Sequence, residues 1–423
     1  MVRAAIHPKR QQFNAENPGY FSSIQKQVMK RADEPISQLE YYLFKNGSKK
    51  NIPNILKRNW ADRLENCSLY EIHKYKNSGI GMIDTIRICH ANSGIIDSLM
   101  SDGTVTVDDD NNTWETKRAD GVSWKDILSS VRMGHMALLR NLRGIFTETD
   151  DIELCRQVMQ QLKDGVLTGK QFPFRYFTAM KMIGQSEANH KGLIMDTLEE
   201  CIDISCENMP KLKGKTMCLS DNSGSAWGSF NSEYGSVTVA EIDNLSSLIT
   251  ARNSDEGYVG KFGDKLIVTP VSKRNGILSQ CEAMSSNGSE DVGRGTENGI
   301  WLFFRDAIDN KEHWDNIFIY SDQQAGHGGL YGTREEMKEY DQRGFGTNNS
   351  GWSYVDAAKL IREYRNKVNP QVNVFSVQTA GYNNIVVPEY GYRTNLLYGW
   401  TGKELVFADF MIKFWESGKH RKA

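Results

Sequence analysis

The chain has 423 residues, of which 39% are hydrophobic, and its 51 basic and 53 acidic side chains give a formal net charge of −2. This length and composition predict about two or three domains with buried cores, which excludes a disordered protein. The near balance of charge excludes a polybasic arm, so any nucleic-acid site has to be a local basic patch.

The cysteines and the N-terminus bear on the cellular compartment. No Cys-x-x-Cys pair occurs among the seven cysteines, and several of them lie in apolar helical or strand patterns. We interpret them as buried, reduced thiols. The N-terminal residues lack the apolar core of a signal peptide, and no apolar run approaches the roughly 20 residues of a membrane span. A soluble, cytoplasmic protein is therefore expected.

Residues 20–209 follow the periodicity of amphipathic helices throughout. Apolar side chains recur at i, i+3, i+4 and i+7, as in Trp124, Ile127, Leu128 and Val131. Short polar breaks separate consecutive helices, which favours stacked helix pairs, an α-solenoid, over residues 1–212. An ordinary helical domain is the alternative, because no sequence period proves a repeat.

One segment, 101–120, differs from its neighbours, since it contains Val-Thr-Val-Asp-Asp-Asp-Asn-Asn-Thr. It predicts a hairpin or a mobile insertion between helices. Ser123, with Asp126 three residues later, predicts the N-terminal cap of the helix that follows.

After Gly214 the pattern changes to alternating strands and helices. We predict strands near 216–220, 265–269, 317–321 and 372–377, and helices near 237–252, 299–309, 353–367 and 403–415. This alternation is typical of a doubly wound, mostly parallel sheet covered by helices on both faces. The glycine-rich segment 323–351 is interpreted either as a loop that grips a ligand or as a disordered surface loop.

Five oxygen-bearing residues suggest a divalent metal site. Two of them end predicted strands, where open α/β sheets bind ligands, and carboxylates and hydroxyls suit a small hard ion such as Mg²⁺ or Mn²⁺. The five are Asp221, Ser223, Ser225, Thr296 and Asp322. The alternative for the two aspartates is that they cap the helices that follow.

The predicted metal site has ligands but no catalytic group. Two hydroxyls and one or two carboxylates leave an open coordination position, which favours docking of an acidic group from a partner. Catalysis needs a base or nucleophile near the ion. The one histidine in the neighbouring loop, His327, is better interpreted as a solvated loop residue. We therefore expect no enzymatic activity.

Several motifs occur in the order found in one protein family. They are Leu56-Lys-Arg-Asn-Trp-Ala-Asp, Asp84-Thr-Ile-Arg-Ile-Cys-His, Ala137-Leu-Leu-Arg-Asn-Leu, Phe172-Pro-Phe-Arg, Asp221-Asn-Ser-Gly-Ser and Arg362-Glu-Tyr-Arg-Asn-Lys. Across roughly residues 50–415 the chain resembles the Ro ribonucleoprotein autoantigen family, which joins a TROVE module of HEAT-like helical repeats to a von Willebrand factor A domain. Its helical part is shorter than that of the family, and Arg294 and Glu297 depart from the family's metal loop.

The resemblance implies binding of small structured noncoding RNAs (Y RNAs) and of misfolded RNAs, in RNA quality control. The basic residues that match by position are Arg87, His90, Arg140 and Arg175, and Arg143, Lys170 and Lys181 are added as neighbours on spacing alone. For Arg140, inside an otherwise apolar helix, a phosphate is one candidate partner. An internal carboxylate such as Asp126 is the other.

The sequence thus predicts a cytoplasmic RNA-binding protein. It would comprise a TROVE-like helical domain over 1–212 and a von Willebrand factor A-like domain with a metal site over 213–423. The first alternative is an adhesion-type module that grips a protein carboxylate through its metal and has no role with RNA. The second is a metal-dependent hydrolase or nuclease, which is disfavoured because no second carboxylate or histidine cluster accompanies Asp322.

Overall fold

The computed structural model describes residues 6–418 except 104, 106–111, 132, 230–236, 296–297, 324–338, 350–351, 382–385, 388–390 and 401. The chain divides into two compact units, Met1–Met133 and Gly134–Ala423. This division by packing lies within the predicted helical domain, so its later helices belong to the same compact unit as the sheet. The predicted domain boundary at 212/213 stays a prediction.

The first unit is built of helices around one apolar core. Leu56 and Trp60 are fully buried in it, and the indole nitrogen of Trp60 donates to the side-chain oxygen of Gln38 over 3.0 Å. The helices are α1 Gln11–Glu16, α2 Pro18–Val28, α3 Glu34–Asn46, α4 Asn54–Glu65, α5 Leu69–Tyr75, α6 Met82–Cys89, α7 Gly94–Asp102, α8 Trp114–Ala119 and α9 Trp124–Ser130.

Two local expectations for this unit have different outcomes. The cap at Ser123 is confirmed, because its hydroxyl accepts from the backbone N–H of Asp126 over 3.2 Å at the start of α9. The expectation of a hairpin or mobile insertion across 101–120 is wrong for its last part, since Trp114–Ala119 is helical, and residues 104 and 106–111 of the segment lie outside the described residues. The hydroxyl of Thr113 caps that helix. Hydrophobic periodicity alone does not reveal such a short capped helix.

The second unit opens with helices that precede the sheet and are joined to the helices beside it. They are α10 His135–Glu148, α11 Ile152–Asp164, α12 Val166–Gly169, α13 Pro173–Gly184 and α14 Lys191–Ser205. The carboxylate of Glu199 on α14 accepts from the hydroxyl of Ser279 over 2.7 Å, and that of Asp203 accepts from the backbone N–H of Ile277 over 3.2 Å. These hydrogen bonds tie α14 to the sheet's own helices.

The sheet has six strands in the order β3-β2-β1-β4-β7-β8, all parallel except the β2–β3 pair. A separate two-stranded hairpin is formed by β5 and β6. The strands are β1 Leu212–Asp221, β2 Ser254–Phe262, β3 Leu266–Pro270, β4 Asn316–Ser321, β5 Gly346–Asn349, β6 Trp352–Val355, β7 Asn373–Gln378 and β8 Thr394–Tyr398. Together with the preceding helices, this confirms the predicted α plus α/β fold.

Helices cover both faces of the sheet, as the continuous apolar strands predict. Ile317 and Ile319 pack into the core with Phe304, whereas the alternate residue Tyr320 hydrogen-bonds to Thr250 on the other face, 2.8 Å between their hydroxyl oxygens. The helices of this part are α15 Val239–Arg252, α16 Ile277–Ser285, α17 Asn298–Asp309, α18 Ala357–Lys367 and α19 Glu404–Glu416.

One stretch before α18 differs from its prediction. The sequence predicts a loop up to 351 and a helix from 353, but β5 and β6 form an antiparallel hairpin there and the helix begins at Ala357. The side chain of Asp356 caps that helix by accepting from the backbone N–H of Lys359 over 3.0 Å. Residues 324–338 of the glycine-rich segment, including His327, lie outside the described residues.

All seven cysteines are buried free thiols, as predicted. Within the described ranges, no helix has the length and apolar character required to cross a bilayer.

Candidate functional site

The two predicted metal-binding aspartates meet at one edge of the sheet. Asp221 ends β1 and Asp322 directly follows β4, and both side chains are buried. Since β1 and β4 are parallel neighbours with Ser220 paired to Tyr320, the residues after the pair lie side by side. The strand ends therefore place both carboxylates where the sequence predicts them.

Hydrogen bonds hold the Asp221 carboxylate in one orientation. Its Oδ1 accepts from the backbone N–H of Ser223 over 2.9 Å, and its Oδ2 accepts from the hydroxyl of Ser321 over 2.5 Å. The hydroxyl oxygens of Ser223 and Ser225 lie 3.1 Å apart. Three of the five predicted ligands thus form one cluster of oxygen atoms.

The electrostatics of this edge favour a cation. Burial, and then the neighbouring charge of Asp322, raise the pKa of Asp221 to about 8, against the smaller opposing effect of its hydrogen bonds to Ser321 and Ser223. Two buried carboxylates repel each other unless one takes up a proton or a positive ion lies between them. A divalent ion would relieve that repulsion.

A third buried carboxylate, Asp243 on α15, was not predicted. It is 0% exposed, and burial, followed by the charge of Asp221, raises its pKa well above the usual range. The nearby Thr379 offsets part of that shift, but among the described residues neither carboxylate oxygen has a hydrogen bond of normal geometry. Its only sequence signal is an acidic residue inside an otherwise buried helix, Val239 to Ala251.

The fifth predicted ligand, Thr296, lies outside the described residues. The residues before it approach the site, because the backbone N–H of Gly224 donates to the carbonyl oxygen of Arg294 over 2.9 Å. Gly224 is suited to this contact, since a Cβ there would lie 3.3 Å from the Cβ of Arg294.

The donor set fits a small hard divalent ion. In the part of the chain that the structure describes, no three His, Cys, Asp or Glu side chains converge on one metal position. The site instead offers hydroxyls beside carboxylates, a chemistry that suits Mg²⁺ or Mn²⁺ with some water ligands. Asp221, Ser223, Ser225 and Asp322 are the described residues that would hold the ion.

A second feature, which we call the basic groove, lies between α10 and α13. It is a cavity of about 460 Å³ lined by Arg140, Arg143 and Arg175. All three arginines are exposed, and none forms an ion pair with any residue that the structure describes. The sequence alternative, in which an internal carboxylate neutralises Arg140, therefore does not apply to the described residues. The carboxylate of Asp126 instead accepts from the hydroxyl of Ser123 over 2.6 Å.

The walls of the basic groove are apolar and lie on well-packed helices. Leu139, Leu142 and Ile183 line it and are buried. The guanidinium carbon of Arg175 lies 4.9 Å from the centre of the Phe174 ring, which restricts its orientation. Rigid walls with cationic rims are suited to holding a phosphate backbone.

The other predicted RNA-contacting residues have mixed environments. In the first unit, Arg87 is exposed on α6 and lies 3.8 Å from Asp84, and His90 ends the same helix in the left-handed conformation. Lys170 is exposed at the end of α12, also left-handed. Lys170 is not among the residues that line the basic groove.

Lys181 has a partner within the protein. Its ammonium forms an ion pair with Glu241, whose side chain is only 13% exposed at the start of α15. The charge of Lys181 is therefore neutralised within the protein, where it joins α13 to α15. The sequence spacing could not detect this partner, which lies 60 residues away.

Comparison with known proteins agrees with this architecture. Residues 110–218 match the family model described as the TROVE domain. No curated protein sequence matches the chain. Among solved structures, the crystal structure of the Deinococcus radiodurans Ro (RSR) protein superposes with a TM-score of 0.65 at 13% identity, covering 95% of this chain and 84% of that chain.

A mutant of the PilB minor pilin from Streptococcus sanguinis matches with a TM-score of 0.28 at 11% identity, over 51% of this chain and 64% of that chain, and this likeness is too weak to carry an argument.

The fold places the protein in a class in which a helical region is followed by a mostly parallel α/β sheet. The chain thus contains a match to the TROVE domain over residues 110–218 and has the fold of the Ro structure, in agreement with the resemblance predicted from the motifs.

Proposed function

We propose that this chain is an RNA-binding protein of ribonucleoprotein type, which holds a small structured noncoding (Y-like) RNA or a misfolded RNA in RNA quality control in the cytoplasm. The observation that carries the proposal is the basic groove, where Arg140, Arg143 and Arg175 present guanidinium groups to one cavity. Guanidinium groups bind phosphate oxygens in pairs and are weakly hydrated, so they suit RNA backbones.

The sheet edge supports a second, subordinate proposal. Asp221, Ser223, Ser225, Thr296 and Asp322 would bind Mg²⁺ or Mn²⁺ in a von Willebrand factor A-like site. The ion would neutralise the buried carboxylates and offer an open position to an acidic group of a partner. We assign it no hydrolytic role, since the proposed ligand set contains no general base beside the ion.

The adhesion-type alternative relies on the metal alone and gives the basic groove no purpose. Three exposed arginines without ion pairs among the described residues raise the local positive potential, which favours the RNA proposal. The RNA-binding proposal and the adhesion-type alternative therefore differ in whether the basic groove contributes to binding.

The test replaces both Arg140 and Arg175 with Gln and measures binding of a stem-loop RNA by fluorescence anisotropy across a salt series. Loss of two phosphate contacts should flatten the plot of log affinity against log salt by up to about two units. The matched control replaces Arg156 and Arg362, two exposed arginines that do not line the groove, with Gln. An equal change of slope in the control, or none in the groove variant, contradicts the proposal.

A further inference from the structure

The amino ends of the parallel strands border a second cavity, at the edge of the sheet opposite to Asp221. Its volume is about 690 Å³. Leu212, Asn316 and Asn373, at the starts of β1, β4 and β7, line it together with Arg393, which directly precedes β8. Cavities of roughly 300–1,000 Å³ hold small organic ligands, so this one exceeds the size of an inorganic anion.

Arg393 is a buried cation in this cavity without a carboxylate partner among the described residues. Its relative exposure is 6%, and it adopts a left-handed backbone with φ of 54°. Its Nε donates to the hydroxyl of Tyr392 over 3.2 Å and its Nη1 to Oδ1 of Asn373 over 2.8 Å. A guanidinium has five N–H donors, and burial of its charge without an anion is unfavourable. Left-handed non-glycine residues also cluster at ligand sites.

A ladder of amides fixes the position of this guanidinium. The Nδ2 of Asn373 donates to Oδ1 of Asn316 over 2.9 Å, and the Nδ2 of Asn316 donates to the hydroxyl of Thr216 over 3.1 Å. The ladder crosses β7, β4 and β1 at one level. Arg393 is therefore preorganised, and an anion that binds it need not order the side chain.

A second arginine strengthens the positive potential beside the cavity. The Nη2 of Arg365 donates to the carbonyl oxygens of Val372 and Arg393 and to the hydroxyl of Thr394, whereas its Nε has no partner within the described part of the chain. Burial, and the charge of Arg393, lower the pKa of Arg365 to about 10, although the nearby Tyr392 opposes this shift. The Tyr392 ring lies 5.6 and 6.0 Å from the two guanidinium carbons, which offsets part of the cost of burial.

The acidic residues of the rim leave this charge largely uncompensated. Asp409 pairs with Lys413 over 2.7 Å, and Asp315 accepts from a backbone N–H of β1 over 2.7 Å. Lys213 is exposed at the rim and forms no ion pair with any described residue. Glu416 is the further rim carboxylate, exposed to solvent on α19.

We propose that this cavity binds a small phosphate-bearing molecule of nucleotide size. The phosphate oxygens would accept hydrogen bonds from the remaining N–H groups of Arg393. The organic part of the molecule would extend through the cavity toward Lys213. Phosphate fits better than a monocarboxylate, because its higher charge balances two neighbouring guanidinium groups. The cavity shares no lining residue with the basic groove, so this proposal stands independently of RNA binding there.

The test is isothermal titration calorimetry of the full chain with AMP, inorganic phosphate and adenosine. AMP should bind best, phosphate more weakly, and adenosine least. Arg393→Gln should weaken AMP binding at least about tenfold, and Arg393→Lys should restore only part of it, because the charge returns without the planar fork. Arg362→Gln, which removes an exposed arginine outside the cavity, should bind AMP like the wild type.

Arg393→Gln removes an internal hydrogen bond, so its fold is checked by circular dichroism. If it fails to fold, Lys213→Ala at the exposed rim replaces it and should weaken AMP binding about threefold. Unchanged AMP affinity in the variants, or no wild-type binding of AMP or phosphate up to about 10 mM, would overturn the proposal. So would an Arg393-dependent affinity for a short RNA without any for AMP, since the site would then recognise a nucleic-acid backbone.

Discussion

The ring of Phe174 lies 4.7 Å from that of Trp400, centroid to centroid, and this contact joins the helix that carries Arg175 to the segment after the last sheet strand. Gly402 completes the contact in a left-handed conformation with φ of 76°, and a Cβ there would lie 2.5 Å from the Phe174 ring. One wall of the basic groove is thus anchored on the sheet.

We expect Phe174→Ala to lower the free energy of unfolding by about 2–3 kcal/mol, because it removes the ring between α13 and Trp400. Denaturant unfolding followed by fluorescence measures the loss. Phe44→Ala is the control, since that side chain is 76% exposed and its loss should cost less than about 0.5 kcal/mol. Equal losses in the two variants would show that the contact with Trp400 contributes little.

Asp221→Ala should abolish binding of Mg²⁺ or Mn²⁺, because the carboxylate anchors the proposed coordination shell. RNA affinity should stay within about threefold, under ~1 kcal/mol, since the basic groove lies elsewhere. Calorimetric titration with each metal measures the first effect, and Asp196→Ala, at an exposed position on α14, serves as the control. Retention of metal binding by Asp221→Ala would refute the ligand assignment.

Lys181→Gln should lower stability without changing the salt dependence of RNA binding. The substitution leaves the nearly buried Glu241 without its cation, at a cost of about 1–2 kcal/mol after allowance for the 31% exposure of Lys181. Lys163→Gln breaks a more exposed pair with Glu200 and should leave stability nearly unchanged. A flatter salt slope for Lys181→Gln would instead restore Lys181 to the RNA site.

His135 should make the fold less stable as the pH falls below about 6.5. Burial lowers the pKa of His135, whose Nε2 lies 2.7 Å from the Tyr176 hydroxyl oxygen, and its place at the start of α10 also disfavours a positive charge. Above pH 6.5 the ring is neutral in both the folded and the unfolded state, so it contributes nothing to the change of stability with pH. Below it, the unfolded chain takes up the proton first, so unfolding becomes easier.

Denaturant unfolding at pH 7.5 and 5.5 tests this expectation. The wild type should lose up to about 1 kcal/mol more than His135→Asn between the two values. His90→Asn is the matched control for the substitution, because His90 is exposed. An equal pH dependence in the wild type and His135→Asn would contradict a half-buried ring held neutral by its surroundings.

The strands found from sequence are those with continuous apolar runs. The prediction of 317–321 agrees with Asn316–Ser321, and 372–377 agrees with Asn373–Gln378. β2 was missed because Gly257 and Gly260 interrupt its apolar pattern. Gly257 is required by packing, since a Cβ there would lie 1.9 Å from the carbonyl oxygen of Ala251. Such a close approach between a strand and the helix that precedes it is not visible in a single sequence.

The site was predictable where its residues are close in sequence or end parallel strands. Arg143 was added to Arg140 because it lies three residues further along the same helix, and Asp221 and Asp322 were placed together because each ends an apolar strand. The approach of Arg175 to Arg140 required the packing of α13 on α10. Asp243 and the Lys181 partner depend on contacts between distant segments, which periodicity and spacing do not encode.

The burial of the cysteines has a practical consequence for labelling experiments. Burial raises the pKa of Cys67 and Cys155 to about 11 and that of Cys281 to about 12, so at neutral pH these groups are almost entirely protonated and shielded from reagents. A cysteine introduced at the exposed Gln157 should therefore react with a maleimide dye while the native thiols stay silent. The natural sequence itself can serve as the background for attaching a fluorophore to a chosen site.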